Sequence, residues 1–341
     1  MPAVAKPRIA RKALTALTLA GASAALLTLS PPAGTAPNPL PAVIKVVALE
    51  GMQLFPVQAM LASGIAERHG LRLDLVRMGS PDGVYAVMQT GNFHVAFAAW
   101  LNVALLRSRG ARITTVYSTS GYTNEVMVPT GSPTRRIGDL RGKRIGVFGG
   151  PAAATTWLFR ASTLKLFGFD PAKDAQMYYT AAPILLALLE QGELDAILSL
   201  DPQITLMLET GRFRSVGSIG SMWRSATGQE PLLLAVTVNE PWAQDNAEVL
   251  RRFIAAYRES LDALRSRADL WPELARSAGV KTDQGISLLA RRSAQAFVSR
   301  WDPAFLEAQH AYAATILQTF GAVDGVPREI PAGTFDRSFL P

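Results

Sequence analysis

The 341-residue chain has no cysteine. That excludes disulfides, thiolate metal sites, a cysteine nucleophile and a lipid-modified N-terminal cysteine. Histidine is scarce too: His69, His94 and His310 lie far apart, and no two share a metal-binding spacing such as His-Glu-x-x-His. There is no Gly-x-Ser-x-Gly nucleophile elbow, no phosphate loop ending in Gly-Lys-Ser/Thr and no dinucleotide fingerprint. Gly146-Val147-Phe148-Gly149-Gly150 is too loose to count as one. The enzyme reading is therefore weak, and no catalytic residue, metal or cofactor is assigned. Charged residues make up only 18% against 49% hydrophobic, which suits a globular chain with an ample core and argues against disorder. The formal charge of +7 first suggests a nucleic-acid partner. Lys6, Arg8, Arg11 and Lys12, however, precede the first acidic residue, Glu50, and setting these four aside leaves +3. The remaining arginines form no basic run interleaved with aromatics, so nucleic acid is not expected as a partner.

Long apolar runs are equally scarce. The one at Ala13–Leu29 follows the basic stretch Met1–Lys12 and leads into Ser30–Pro41, rich in Pro, Gly and Ala. Residues 1–42 read as a cleaved signal peptide and leader, in preference to a membrane anchor near the short limit for a bilayer. Export without a lipid anchor sets the expectation of a protein free in a bacterial periplasm.

What the chain does have is an internal repeat, about 100 residues apart. Val84–Trp100 and Ile184–Asp201 each read as an apolar helix, a glycine stop and a buried strand with a polar or aromatic residue at its end. Upstream, Ile44–Leu49 matches Lys143–Phe148 as a strand, each followed by glycine, proline and a helix ending at His69-Gly70 or Phe167-Gly168. A period near 100 points to two equivalent α/β lobes rather than a solenoid. The strand–helix alternation implies mostly parallel sheets with right-handed crossovers, and facing strand ends make a cleft for a small ligand. The expected organisation is lobe 1 at 43–120, lobe 2 at 121–231, a return to lobe 1 with C-terminal helices at 232–320, and a surface tail at 321–341. Chain crossings near Ser118–Val126 and Gln229–Val238 would make a two-stranded hinge. Trp242–Arg267 reads as one long amphipathic helix.

Five ordered segments carry a family resemblance. They are Pro56…Gly64…Glu67-Arg68-His69-Gly70-Leu71, Gln89–Ala96, Asp139–Val147, Gln191–Ala196 and Val238–Ala243. Together they resemble the periplasmic solute-binding proteins of ABC importers, of nitrate/sulfonate/taurine and thiamine-pyrimidine-precursor type, over about Val43 to Phe320. His94 departs from the acidic residue usual at that point, whereas Asp195 keeps it in the second copy. The resemblance implies a type II periplasmic-binding-protein fold. It further implies a monomer that captures a small polar solute and delivers it to an inner-membrane permease driven by an ATPase, with a leaning to sulfonate, taurine or nitrate. The alternatives are a pyrimidine precursor or other nitrogenous ring, an enzyme on the same fold, and a receptor's sensor domain; the last would need a DNA-binding or transmembrane segment that is not seen.

By the repeat, the ligand should meet loops at the C-terminal ends of the strands. Lobe 1 offers Gly51, Met52, Gln53, Ser80, Trp100 and Asn102; lobe 2 offers Gly150, Ala154, Thr155, Thr156, Thr180 and Asp201, with Tyr122 in the first crossing. Gly149-Gly150-Pro151 before Ala152–Thr156 could hold an anion on free N–H groups and a helix's positive end, or be an ordinary turn. Trp100 could wall the ligand or pack the lobe. Tyr122 could cover the ligand or pack the hinge, and Asp201 could bind an amine or cap the next helix. Asp195, at a strand start, reads as structural, and Asp139 as a surface cap. Strand-end loops carry Glu50, Asp82, Asp201 and Glu230 against Arg77 and Arg224, a balance that does not favour an arginine-clamped anion.

Overall fold

The computed structural model describes residues 40–340. The expected leader lies outside these except for its last three residues, of which Ala42 opens the first strand. In chain order the elements are β1 (Ala42–Leu49), α1 (Phe55–Ala62), α2 (Ile65–Arg68), β2 (Leu71–Met78), α3 (Pro81–Thr90), β3 (Val95–Ala99), α4 (Trp100–Ser108), β4 (Ile113–Gly121) and β5 (Glu125–Pro129). There follow β6 (Arg144–Phe148), α5 (Ala154–Phe167), α6 (Pro171–Asp174), β7 (Gln176–Thr180), α7 (Ala182–Glu190), β8 (Ala196–Ser199), α8 (Gln203–Glu209), β9 (Phe213–Ser218), α9 (Ile219–Thr227) and β10 (Leu232–Asn239). The C-terminal helices are α10 (Glu240–Asp245), α11 (Ala247–Ser266), α12 (Trp271–Ser277), α13 (Asp283–Ala296) and α14 (Pro303–Phe320).

Two five-stranded sheets result, ordered β2-β1-β3-β10-β4 and β7-β6-β8-β5-β9. Each has one antiparallel strand beside the last: β10 between β3 and β4, and β5 between β8 and β9. β10 is the strand that returns the chain to the first lobe. The inner strands β3 and β8 are buried throughout, as a sheet with helices on either side requires, whereas edge strands β2 and β7 keep exposed residues.

The repeat survives down to a hydrogen bond. Asp195 Oδ2 accepts the Arg144 N–H at 2.8 Å, and the Asp195 N–H donates to the Arg144 carbonyl. In the first copy, His94 Nδ1 accepts the Lys45 N–H at 3.1 Å, and the His94 N–H donates to the Lys45 carbonyl. A neutral imidazole thus does the carboxylate's work of fixing the start of the neighbouring strand.

Three features differ from the sequence reading. Trp242–Arg267 is two helices, broken at Asn246, whose side chain donates to the Trp242 carbonyl at 2.9 Å. Helix α9 went unread because it starts in the small-residue run Gly217-Ser218-Ile219-Gly220; Ser218 caps it by accepting the Ser221 N–H. The expected surface tail is fastened over residues 321–340: Phe335 packs between Trp100 and Trp301, and Asp336 N–H donates to the Thr115 carbonyl on edge strand β4. One buried cluster runs through both lobes, and α5 packs against α9 and α14, so the lobes share apolar support behind the hinge.

Candidate functional site

The main cavity, about 740 Å³, lies between the strand ends of the two sheets. Leu49, Phe97, Ala98 and Ala99 come from β1 and β3, Phe148 and Thr180 from β6 and β7, and Asn124 from the first crossing. Most of the wall is apolar: Pro81, Val84, Leu105, Leu200, Leu233 and Leu234 add to those strand residues.

Four helices present their N-termini to this cavity: α3, which Ser80 caps and whose first residues Pro81 and Asp82 line the wall, and three that have alanine at the cap. Ala99 caps α4, Ala153 caps α5 and Ala181 caps α7; none can accept a first-turn N–H, and all three line the cavity. Elsewhere Asp170, Ser218, Asn239, Thr282 and Asp302 each accept a first-turn N–H, whereas the N-cap residues of α1, α2, α8, α11 and α12 make no such bond. An alanine cap costs about 1 kcal/mol relative to such residues. Concentrating three of them around one cavity leaves uncompensated N–H donors and the positive ends of helix dipoles facing it, which suits an anionic group.

Of the residues read from sequence, the cavity brings together Gln53, Asn102, Gly150, Ala154, Thr155 and Thr180. It does not include the other seven. Gly51 precedes a 3-10 turn, and Met52 is in the core. Ser80 caps α3 by accepting the Gly83 N–H at 3.3 Å. Trp100 is fully buried as the first residue of α4; its Nε1 donates to the Leu232 carbonyl at 2.9 Å, so it packs the lobe rather than walling the ligand. Tyr122 is buried in the hinge with its hydroxyl 3.1 Å from that of Tyr312. Thr156 is turned inward, donating to the Gly150 carbonyl at 2.8 Å, which braces the loop between β6 and α5. Asp201 accepts the Thr205 N–H and hydroxyl and pairs with Arg292 Nε at 2.7 Å. Its capping role is therefore real, and the strand-end position alone could not reveal the distant arginine.

Sequence reasoning missed Tyr85, Arg109, Asp324 and Gly325, all on the cavity wall. Tyr85 lies mid-helix, where its spacing matches ordinary core packing. Burial pushes its phenol up to about 12, with the Ala99 backbone hydrogen bond opposing and Asp82 adding to the shift, so it remains a neutral hydrogen-bond donor. The charged residues of the lining are Asp82, Asp324 and Arg109. Arg77 is not among them, and Arg224 is engaged with Glu230 at 2.8 Å, so there is no arginine clamp. Among the described residues, no histidine lines the cavity.

Comparison with known proteins fits this geometry. The family model described as "NMT1/THI5 like" matches residues 64–269, more than half of the chain. No curated protein matches it. Among solved structures, it resembles the alkanesulfonate-binding protein SsuA from Xanthomonas axonopodis pv. citri bound to MOPS (TM-score 0.69, 16% identity, 87% of this chain and 99% of that one). It also resembles the periplasmic aliphatic sulphonate binding protein SsuA from Escherichia coli (TM-score 0.67, 16% identity, 82% and 87%). An ABC transporter structure from Parabacteroides distasonis is similar (TM-score 0.67, 18% identity, 87% and 99%). At these identities the likeness establishes the fold, the two-lobed periplasmic-binding-protein arrangement.

Proposed function

This chain belongs to the NMT1/THI5-like family, and we propose that it is the substrate-binding component of an ABC importer, capturing a small organic anion of the sulfonate type in the cleft between its lobes. The observation that carries this reading is the convergence of three alanine-capped helix N-termini on one largely apolar cavity. The helix ends receive the charged oxygens, and Tyr85, Asn102, Thr155 and Thr180 offer further hydrogen bonds. The apolar wall receives a hydrocarbon or ring body. Contact with both lobes stabilises the closed form, which is the state passed to the membrane permease and its ATPase. Export to the periplasm by the N-terminal leader belongs to the same proposal.

Isothermal titration with a series of linear alkanesulfonates, inorganic sulfate and matched alkylamines tests it. Each buried methylene contributes about 0.8 kcal/mol, so affinity should rise about fourfold per carbon until the cavity is filled. Sulfate should bind far more weakly than the longer sulfonates. Amine binding without sulfonate binding would overturn the proposal.

A further inference from the structure

The segment after α14 is bound to both lobes. At its far end it is fixed to lobe 1: Arg107 Nη2 donates to the Ala332 carbonyl at 2.7 Å, Thr114 Oγ1 to the Gly333 carbonyl at 2.6 Å, and Trp301 Nε1 to the Asp336 carbonyl at 3.0 Å. At its near end it touches lobe 2. Trp157 Nε1, in the first turns of α5, donates to the Asp324 carbonyl at 2.9 Å. Trp157 is itself held by a tilted contact with the Phe320 ring, centroids 5.5 Å apart, and by the Arg160 guanidinium over both rings. Gly325 has φ +84°, and a Cβ there would lie 2.1 Å from the Ala152 carbonyl oxygen, so only glycine lets the strap lie this close to the loop before α5. Asp324 and Gly325 consequently form part of the cavity wall, beside Ala152–Thr155. The Asp324 side chain has no ion-pair partner among the described residues.

We infer that the strap is a working wall of the cleft and that Asp324, an exposed carboxylate whose backbone carbonyl is held beside the open N-terminus of α5, sets charge selectivity by favouring monoanions over dianions. This rests on the organic-anion reading of the cavity. A carboxylate on the wall repels a bound anion in proportion to that anion's charge, while the helix ends attract it. Asp82, also on the wall, adds to the repulsion, and Arg109 opposes it.

The test is Asp324→Asn, which keeps the shape and the backbone bond to Trp157. Calorimetry would compare butanesulfonate with 1,4-butanedisulfonate at low ionic strength. Two unit charges about 6 Å apart in water interact enough to change affinity about threefold, so the variant should bind the monoanion about threefold tighter and the dianion by more, up to about tenfold where both sulfonates lie at that distance. Gly325→Ala, which forces the strap away from Ala152, should shift the ratio the same way and speed hydrogen exchange at the Trp157 indole. Equal gains for both probes, or none, in Asp324→Asn would overturn the inference while leaving the organic-anion reading intact. Failure of both probes to bind wild type would overturn that reading, and this inference with it.

Discussion

Replacing Arg292 by methionine should destabilise the protein strongly, by an amount that the ion-pair geometry sets. Arg292 on α13 reaches into lobe 2, with Nε 2.7 Å from Asp201 and Nη1 2.9 Å from Glu125. The Asp201 side chain is only 1% exposed and that of Arg292 16%. Burial opposes the charge on Arg292, but the two carboxylates outweigh it and hold the guanidinium above its ordinary range. Methionine fills much of the stem volume and removes the charge, leaving two neighbouring carboxylates, one of them buried. Breaking such a pair by deleting one partner costs about 3–5 kcal/mol. Asp201 keeps its bonds from the Thr205 N–H at 3.1 Å and hydroxyl at 2.7 Å, which places the expectation at the lower end, about 3 kcal/mol.

Urea unfolding at pH 7 measures this directly, and a double variant supplies an independent check. Adding Asp201→Asn should recover most of the loss, because the buried charge goes with it. A deficit below about 1 kcal/mol, the range of exposed pairs, or one that Asp201→Asn leaves unrelieved, would refute the argument that this network is a buried tie between α13 and lobe 2.

Other expected outcomes follow from single positions. Gly220→Ala would set a Cβ 2.3 Å from the Tyr122 carbonyl oxygen in the hinge, so unfolding experiments should show a loss of about 1–3 kcal/mol; full wild-type stability would mean that α9 can slide off the crossing. Ala153→Asp supplies the missing cap and should stabilise α5 by about 1 kcal/mol in thermal unfolding, yet cut alkanesulfonate affinity at least about tenfold by placing a carboxylate at the anion site. Tighter binding in that variant would contradict the use of the helix ends. His94 is pushed below its ordinary 6.5, first by burial and then by Lys45, with the Val43 backbone and Asp74 opposing. Its contribution to stability is therefore present above 6.5 and lost as pH falls through the lower folded value; a ring resonance titrating above 6.5 by NMR would count against its acceptor role.

The lobes, the crossings and nearly every strand were legible because both copies obey the same local rules: an apolar strand, a turn carrying glycine and proline, and an amphipathic helix stopped by glycine. Gln53, Asn102, Gly150, Ala154, Thr155 and Thr180 were legible as cavity residues for the same reason, since strand-end position follows from the pattern. Direction of the side chain was not. Thr155 and Thr156 are neighbours, and only the turn geometry sends the first to the cavity and the second to the Gly150 carbonyl. Asp201 and Trp100 occupy the right positions, but their partners, Arg292 and Leu232, lie 91 and 132 residues away. Asp324 and Gly325 lie in a stretch without periodicity, and their approach to Ala152 leaves no local mark beyond a glycine.

The departures between the copies carry the functional information. Helices α1, α3 and α4 of the first copy correspond in order to α5, α7 and α8 of the second, and their caps differ in each pair: Leu54 against Ala153, Ser80 against Ala181, and Ala99 against Pro202. In the middle pair the contrast has a chemical consequence, because Ser80 satisfies the Gly83 N–H itself while Ala181 leaves its helix uncapped at the cavity. Two of the three open helix ends are therefore in lobe 2, whereas Leu49, Val84, Phe97 and Leu105 place much of the apolar wall in lobe 1. On the organic-anion reading, the charged end of the ligand engages lobe 2 together with α4, and the hydrocarbon end lies against lobe 1. Closure then buries apolar surface that neither lobe covers alone, so ligand length should add to head-group charge in setting how far the equilibrium shifts toward the closed form.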